Sequence, residues 1–171
     1  APLPRLPCGV RGPVPPGRGD GLAWPPLLRL QEALGPEAEL VVVVGKRGRH
    51  ITTEDAKNYI LGYTVGNDVT ARDLQKTDGQ WTRAKGFDTF CVFGPWIDTD
   101  FDPSDAVVTC RVNGQMRQMA STRDMVFSVA TLVAYISSVM TLEPGDLIFT
   151  GTPAGVGPLK PGDRVDAEID G

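Results

Sequence analysis

Two glutamates, Glu37 and Glu39, stand in the run PEAELVVVVGK just ahead of four consecutive valines. Side chains alternate along a strand, so residues two apart project from one face. Two carboxylates therefore sit side by side next to a segment that reads as buried. There they repel and raise each other's pKa unless something positive lies between them; the pattern asks for a cation. Asp68, in GND, follows Glu39 by 29 positions with one helical stretch between. A strand, a helix and a second strand bring both strand ends to one edge of a sheet. Three convergent carboxylates make an all-oxygen site, which suits magnesium, manganese or calcium and not zinc or copper. Spacing alone leaves a second reading open, in which Glu37 and Glu39 are solvated residues at a strand entrance and Asp68 caps a turn.

The neighbours of Asp68 extend this set. Arg72 and Gln75 follow it at four and seven positions in NDVTARDLQ, a spacing that shares one face of a helical turn. WTRAKGFDTF supplies Lys85 between Trp81 and Phe87, apolar neighbours able to shield an ammonium group. An arginine fork and a lysine point charge are what a carboxylate substrate needs, although each taken singly is the kind of charge a surface carries. TGTPAGVG is a glycine-rich loop whose backbone amides and Thr152 suit an anion. It is not a P-loop, because the Gly-Lys-Ser/Thr ending is missing.

These residues need a scaffold, and the pattern along the chain is mostly strands separated by turns. AELVVVVG reads as a buried strand, and TTEDAKNYI as a short helix begun by Thr52 and Asp55 at capping-box spacing. LGYTVGNDVT alternates as a second strand ending at Asp68. Asn113-Gly114 joins two strand-like arms as a hairpin turn. SVATLVAYISSVM predicts an amphipathic helix capped by Ser128 and ending near Met140. EPGDLIFTGTP and KPGDRVDAEID each place a Pro-Gly turn before a strand. The expected fold class is mostly β (α+β) with two short helices, a sandwich or rolled sheet rather than a doubly wound fold.

The first 36 residues differ from the rest. They are crowded with proline, glycine, arginine and leucine, show neither period, and read as an extended arm ahead of a domain over 37–171. Such an arm is expected to add little to the core, so that its removal shifts the thermal midpoint by only a few degrees.

At 171 residues and a net charge of -4 the chain is an ordinary acidic globular domain, ill suited to a nucleic-acid partner. No apolar run approaches the roughly 20 residues of a membrane helix. Cys8, Cys91 and Cys110 form no C-x-x-C pair, which suggests a reducing, cytoplasmic setting. His50 is the single histidine, reads as a solvated loop residue, and rules out cupin-like or zinc sites built on several histidines.

From about Glu37 onward the chain resembles the fumarylacetoacetate hydrolase superfamily. The likeness is carried by EAELVVVVGK, GYTVGNDVTARDLQ, WTRAKGFDTFCVFGPWI, VNGQMRQ, FSVATLVAYISSVMTLEPGDLIFTGTPAGVG and PGDRV, in that order. It is nearest the branch of acylpyruvate hydrolases, oxaloacetate decarboxylases and 2-hydroxyhepta-2,4-diene-1,7-dioate isomerases. The resemblance implies a mixed β-sandwich roll, a homodimer, and magnesium held by Glu37, Glu39 and Asp68, with manganese or calcium as substitutes. It implies Lys85 as the catalytic lysine beside the metal, and Arg72, Gln75 and Thr152 as contacts to a small 2-oxo acid or dicarboxylate substrate. Family members carry an NYxxHxxE motif upstream, whose histidine and glutamate activate water or move protons; residues 1–36 hold no match to it, and the family continues for one more strand beyond EIDG.

Two functions from different classes follow. One is a metal-dependent enzyme whose ion polarises a 2-oxo acid, with isomerisation or decarboxylation favoured over hydrolytic C–C cleavage because that cleavage also needs a base for water. The other is a metal-binding scaffold or dimerising subunit with reduced catalysis.

Overall fold

The computed structural model describes residues 9–13 and 34–170. Strands dominate them: β1 (Gly9–Pro13), β2 (Leu34–Gly35), β3 (Ala38–Val44), β4 (Ile60–Asp68) and β5 (Thr70–Ala71) come first. Two short helices follow, α1 (Arg72–Thr77) and α2 (Thr82–Lys85). Then come β6 (Cys91–Phe93), β7 (Val107–Val112), β8 (Gln115–Ser121), α3 (Val129–Val139), β9 (Leu147–Phe149) and β10 (Arg164–Asp170). One sheet has the order β1-β10-β7-β8, a second β6-β4-β3-β9, and β2 pairs with β5; every pairing is antiparallel. This is the mostly β architecture expected, and no described helix is long and apolar enough to cross a membrane.

Local sequence explains most elements. Asn113 and Gly114 take φ of 52° and 80° in the turn between β7 and β8, the double left-handed conformation of a type I′ hairpin. Ser128 caps α3, its Oγ accepting the Thr131 N–H at 3.2 Å, and Val129 and Val133 turn inward. TTEDAKNYI is shorter than expected: Asp55 N–H reaches Thr52 Oγ1 at 3.2 Å, but only the 3-10 turn Ala56–Tyr59 follows.

The position of β3 governs the site. It lies between β4 and β9, and all seven of its residues are buried. Ala38 joins a core with Val65, Cys110 and Ala167, between the sheets. Leu40, Val42 and Val44 join a second core with Val129, Val133 and Ile148, under α3. Glu39, Val41 and Val43 take the opposite face. Two features fall inside the segment read as a plain arm: β1 pairs with β10 over five residues, and Leu34 is buried in the first core.

Candidate functional site

β3 and β4 run antiparallel with Ala38 opposite Asn67 and Glu39 opposite Gly66. The start of one strand therefore meets the end of the other, and Glu37, Glu39 and Asp68 each offer an oxygen within 4.8 Å of the others. The expected strand, helix and strand does bring both ends to one edge, through antiparallel pairing. Glu37 is 7% exposed and Glu39 3%, which overturns the alternative of solvated residues at a strand entrance. The backbone locks the pair of strand ends: Asp68 N–H donates to Glu37 O at 3.0 Å, and Glu37 N–H to Asn67 Oδ1 at 2.9 Å.

Two cations meet these acids. Lys85, the last residue of α2, donates to Glu37 Oε2 at 2.9 Å, to Thr70 Oγ1 at 3.1 Å and closely to Asp68 Oδ2. Arg72 Nη1 pairs with Glu37 Oε1 at 2.6 Å and Gln75 Oε1 at 3.0 Å. Arg72 and Gln75 share α1 as expected, but Asp68 lies back in β4, so the fold rather than one helical face brings them together. Trp81 is 54% exposed and lines a cavity together with Lys85, while Phe87 packs on the core against Phe90. The polar partners of the ammonium are two carboxylates and the Thr70 hydroxyl. Thr152 lies at the β9 side of β3, its hydroxyl donating to Ala38 O at 2.8 Å. That hydrogen is spent, so anion contact by this loop falls to backbone N–H groups, of which Gly151 N–H already meets Glu39 Oε2 at 2.7 Å.

Charge follows from this packing. Burial pushes the Glu39 carboxyl up to about 7, the Gly151 N–H offsets this in part, and the charges of Asp68 and Glu37 raise it further. Burial works against the Lys85 ammonium, yet its bonds to Asp68 and Glu37 outweigh that and raise its pKa. Lys85 is thus held as a cation and donor, not a base. Three carboxylates face two cations, which leaves an excess of negative charge in a buried, all-oxygen pocket. That donor set fits a hard divalent ion.

Sequence reasoning missed Asn67, Thr70 and Gln118, all buried polar residues. Asn67 and Thr70 flank Asp68, and their place in GNDVT was the available signal. His50 is exposed with φ of 54°, beyond the far end of β3. Its backbone N–H donates to Ser137 O at 2.9 Å, at the end of α3 and not at the cluster.

Residues 15–171 match the model of the fumarylacetoacetate (FAA) hydrolase C-terminal family. The chain belongs to that family. It is 53% identical to the structure of 2-hydroxyhepta-2,4-diene-1,7-dioate isomerase from Mycobacterium marinum, with a TM-score of 0.81 covering 83% of this chain and 57% of that one. The mitochondrial oxaloacetate decarboxylase of Dictyostelium discoideum is 46% identical over 79% of this chain and 65% of its own length. Maleylpyruvate hydrolase from Sphingobium sp. SYK-6, solved with manganese (II) and pyruvate, is 41% identical with a TM-score of 0.75, covering 81% of this chain and 51% of that one. The chain spans 52% to 60% of the length of two further curated relatives, from Mycobacterium tuberculosis and Methanocaldococcus jannaschii. For a fumarylacetoacetate hydrolase family member, the all-oxygen cluster is thus the expected place for a divalent metal.

Proposed function

We propose that this protein is a divalent-metal-dependent isomerase or decarboxylase of small 2-oxo or 2-hydroxydienoate dicarboxylic acids. The observation that carries the reading is the buried cluster of Glu37, Glu39 and Asp68 with Lys85 donating into it. Held by those three carboxylates, magnesium or manganese would supply a Lewis acid for the keto and carboxylate oxygens of the substrate. Lys85, kept protonated by its partners, is set to neutralise negative charge developing on the substrate oxygen. Arg72, whose Nη1 is held by Glu37 and Gln75, places a second cation beside the cluster, of the kind that attracts a substrate carboxylate. The cluster is ringed by acids and cations and equipped to stabilise an anion, which is the chief need of isomerisation and decarboxylation of a 2-oxo acid. The named activities of the M. marinum and D. discoideum relatives support it, and the manganese and pyruvate of the Sphingobium enzyme support the metal and a 2-oxo acid.

The test compares oxaloacetate tautomerisation, oxaloacetate decarboxylation and acylpyruvate cleavage on one preparation, with and without chelator. Tautomerisation or decarboxylation should dominate, vanish with chelator, and fall about a hundredfold or more in Lys85→Met, the range for removing one charge-stabilising donor. In parallel, Glu39→Ala should lose manganese binding by calorimetry. Acylpyruvate cleavage as the fastest reaction overturns the reading in favour of a hydrolase. Metal binding without any turnover points to the scaffold instead.

A further inference from the structure

The geometry points to Gln118 as a positioning residue that sets the metal-binding end of β3 by joining it to the TGTP loop. Gln118 is 1% exposed, on β8 in the opposite sheet, and lies 80 residues from its partner Ala38. Its Oε1 accepts the Ala38 N–H at 3.1 Å, and its Nε2 donates to Thr152 Oγ1 and to Pro153 O, each at 2.8 Å. These partners admit one arrangement, since a backbone N–H can only donate and a carbonyl can only accept. Thr152 Oγ1, already accepting from Gln118, must then donate to Ala38 O at 2.8 Å. Both backbone polar groups of Ala38, the residue between Glu37 and Glu39, are thus held by side chains.

β9 reaches only Val41, Val42 and Val43 of β3. Beyond its end, Thr150 Oγ1 takes Leu40 O at 2.9 Å, and Thr152 and Gln118 complete the edge down to Ala38. The same loop sends Gly151 N–H to Glu39. Loop and strand are therefore fixed together, and Gln118 is the only member of this chain of bonds drawn from the other sheet. Groups that orient metal ligands without touching the metal typically alter affinity 10- to 100-fold when removed.

This inference rests on the metal reading above, and its test separates the two. Manganese affinity is measured by calorimetry on the parent, on Gln118→Met, and on Ser137→Ala as a matched control. Ser137 is equally buried, accepts the Ile51 N–H at 3.0 Å and donates to Ala134 O at 2.9 Å, away from the cluster. The expected result is a Kd raised about 10- to 100-fold in Gln118→Met, an unchanged Kd in Ser137→Ala, and faster amide exchange at Gly151 in the former only. If Gln118→Met does not fold, Thr152→Val cuts the same link from the partly exposed loop side and should weaken manganese at least tenfold. Parent-like affinity in whichever variant folds overturns the role of Gln118 and leaves the metal reading intact. A parent that binds no manganese overturns both.

Discussion

Glu39 meets one backbone donor, Gly151 N–H, and two like charges, Glu37 and Asp68, at a position almost closed to solvent. Its carboxyl titrates near 7 instead of the usual 4.5, so between those values the folded chain holds a proton that the unfolded chain has released. A group that binds its proton more tightly when folded contributes stability in full below its unfolded pKa, and loses that contribution as pH rises through the folded value. With chelator present, the melting temperature should therefore fall between about pH 4.5 and pH 7 and level off above. Glu39→Gln, which carries no titrating proton, should flatten that part of the curve. An identical slope in parent and variant would place the titration on another group. Alternation along AELVVVV was enough to place Glu37 and Glu39 together. The family resemblance set Lys85 beside this site, but spacing alone gave no sign that it would pair with these acids, because it comes from a separate helix 48 residues beyond Glu37. Only the folded chain shows it bridging Glu37 and Asp68.

Secondary-structure elements act on the site through how closely β3, β4 and β9 approach. Gly66 sits opposite Glu39 in the ladder, and a Cβ there would come within 2.5 Å of both Val41 Cγ2 and Phe149 Cε1. An alanine there can be accommodated only if Val41 and Phe149 turn aside or β4 moves from its neighbours, so Gly66→Ala should disturb the packing of β3, β4 and β9. The expected cost is about 1–3 kcal/mol, the range for overpacking a core, with weaker manganese binding as Asp68 separates from Glu39. Thermal melts and calorimetry check both; an unchanged midpoint with unchanged affinity would show that the strands have room to spare. The strands themselves were largely legible from turn chemistry: Asn113-Gly114, Pro144-Gly145 and Pro161-Gly162 each precede a strand where expected. The short elements were not, since β2, β5 and β6 hold two or three residues each, too few for any period to register. The edge of β3 beyond β9 escaped for another reason. Apart from the Thr150 N–H donating to Leu40 O, its bonds come from Thr150, Thr152 and Gln118 side chains, which strand patterns do not report.

At the scale of the whole molecule, one of the two four-stranded sheets joins strands from opposite ends of the chain. β10, near the C-terminus, is flanked on one side by β7 and on the other by β1, whose residues Gly9–Pro13 pair with Glu168 through Arg164. GVRGP has no alternation to read, and the part it plays is backbone pairing, which is indifferent to side-chain pattern; composition therefore pointed to a loose arm. Pairing has consequences that an arm does not. Each intramolecular hydrogen bond is worth about 0.5–1.5 kcal/mol net, and part of that gain is offset by ordering the segment. Deleting residues 1–13 should cost roughly 2 kcal/mol, which for a chain of this size lowers the melting temperature by about 4–8 °C, more than the shift the composition suggests. Deletion also bares one edge of β10, a template for pairing with a second copy, so size-exclusion chromatography should show a concentration-dependent larger species. Manganese affinity should stay within a few-fold of the parent, because Glu39 and Asp68 belong to the other sheet and Glu37 directly precedes it. A midpoint unmoved by the deletion would mean that β10 ends its sheet in solution. A lost metal site would mean instead that the N-terminal strand supports β4 as well as β10.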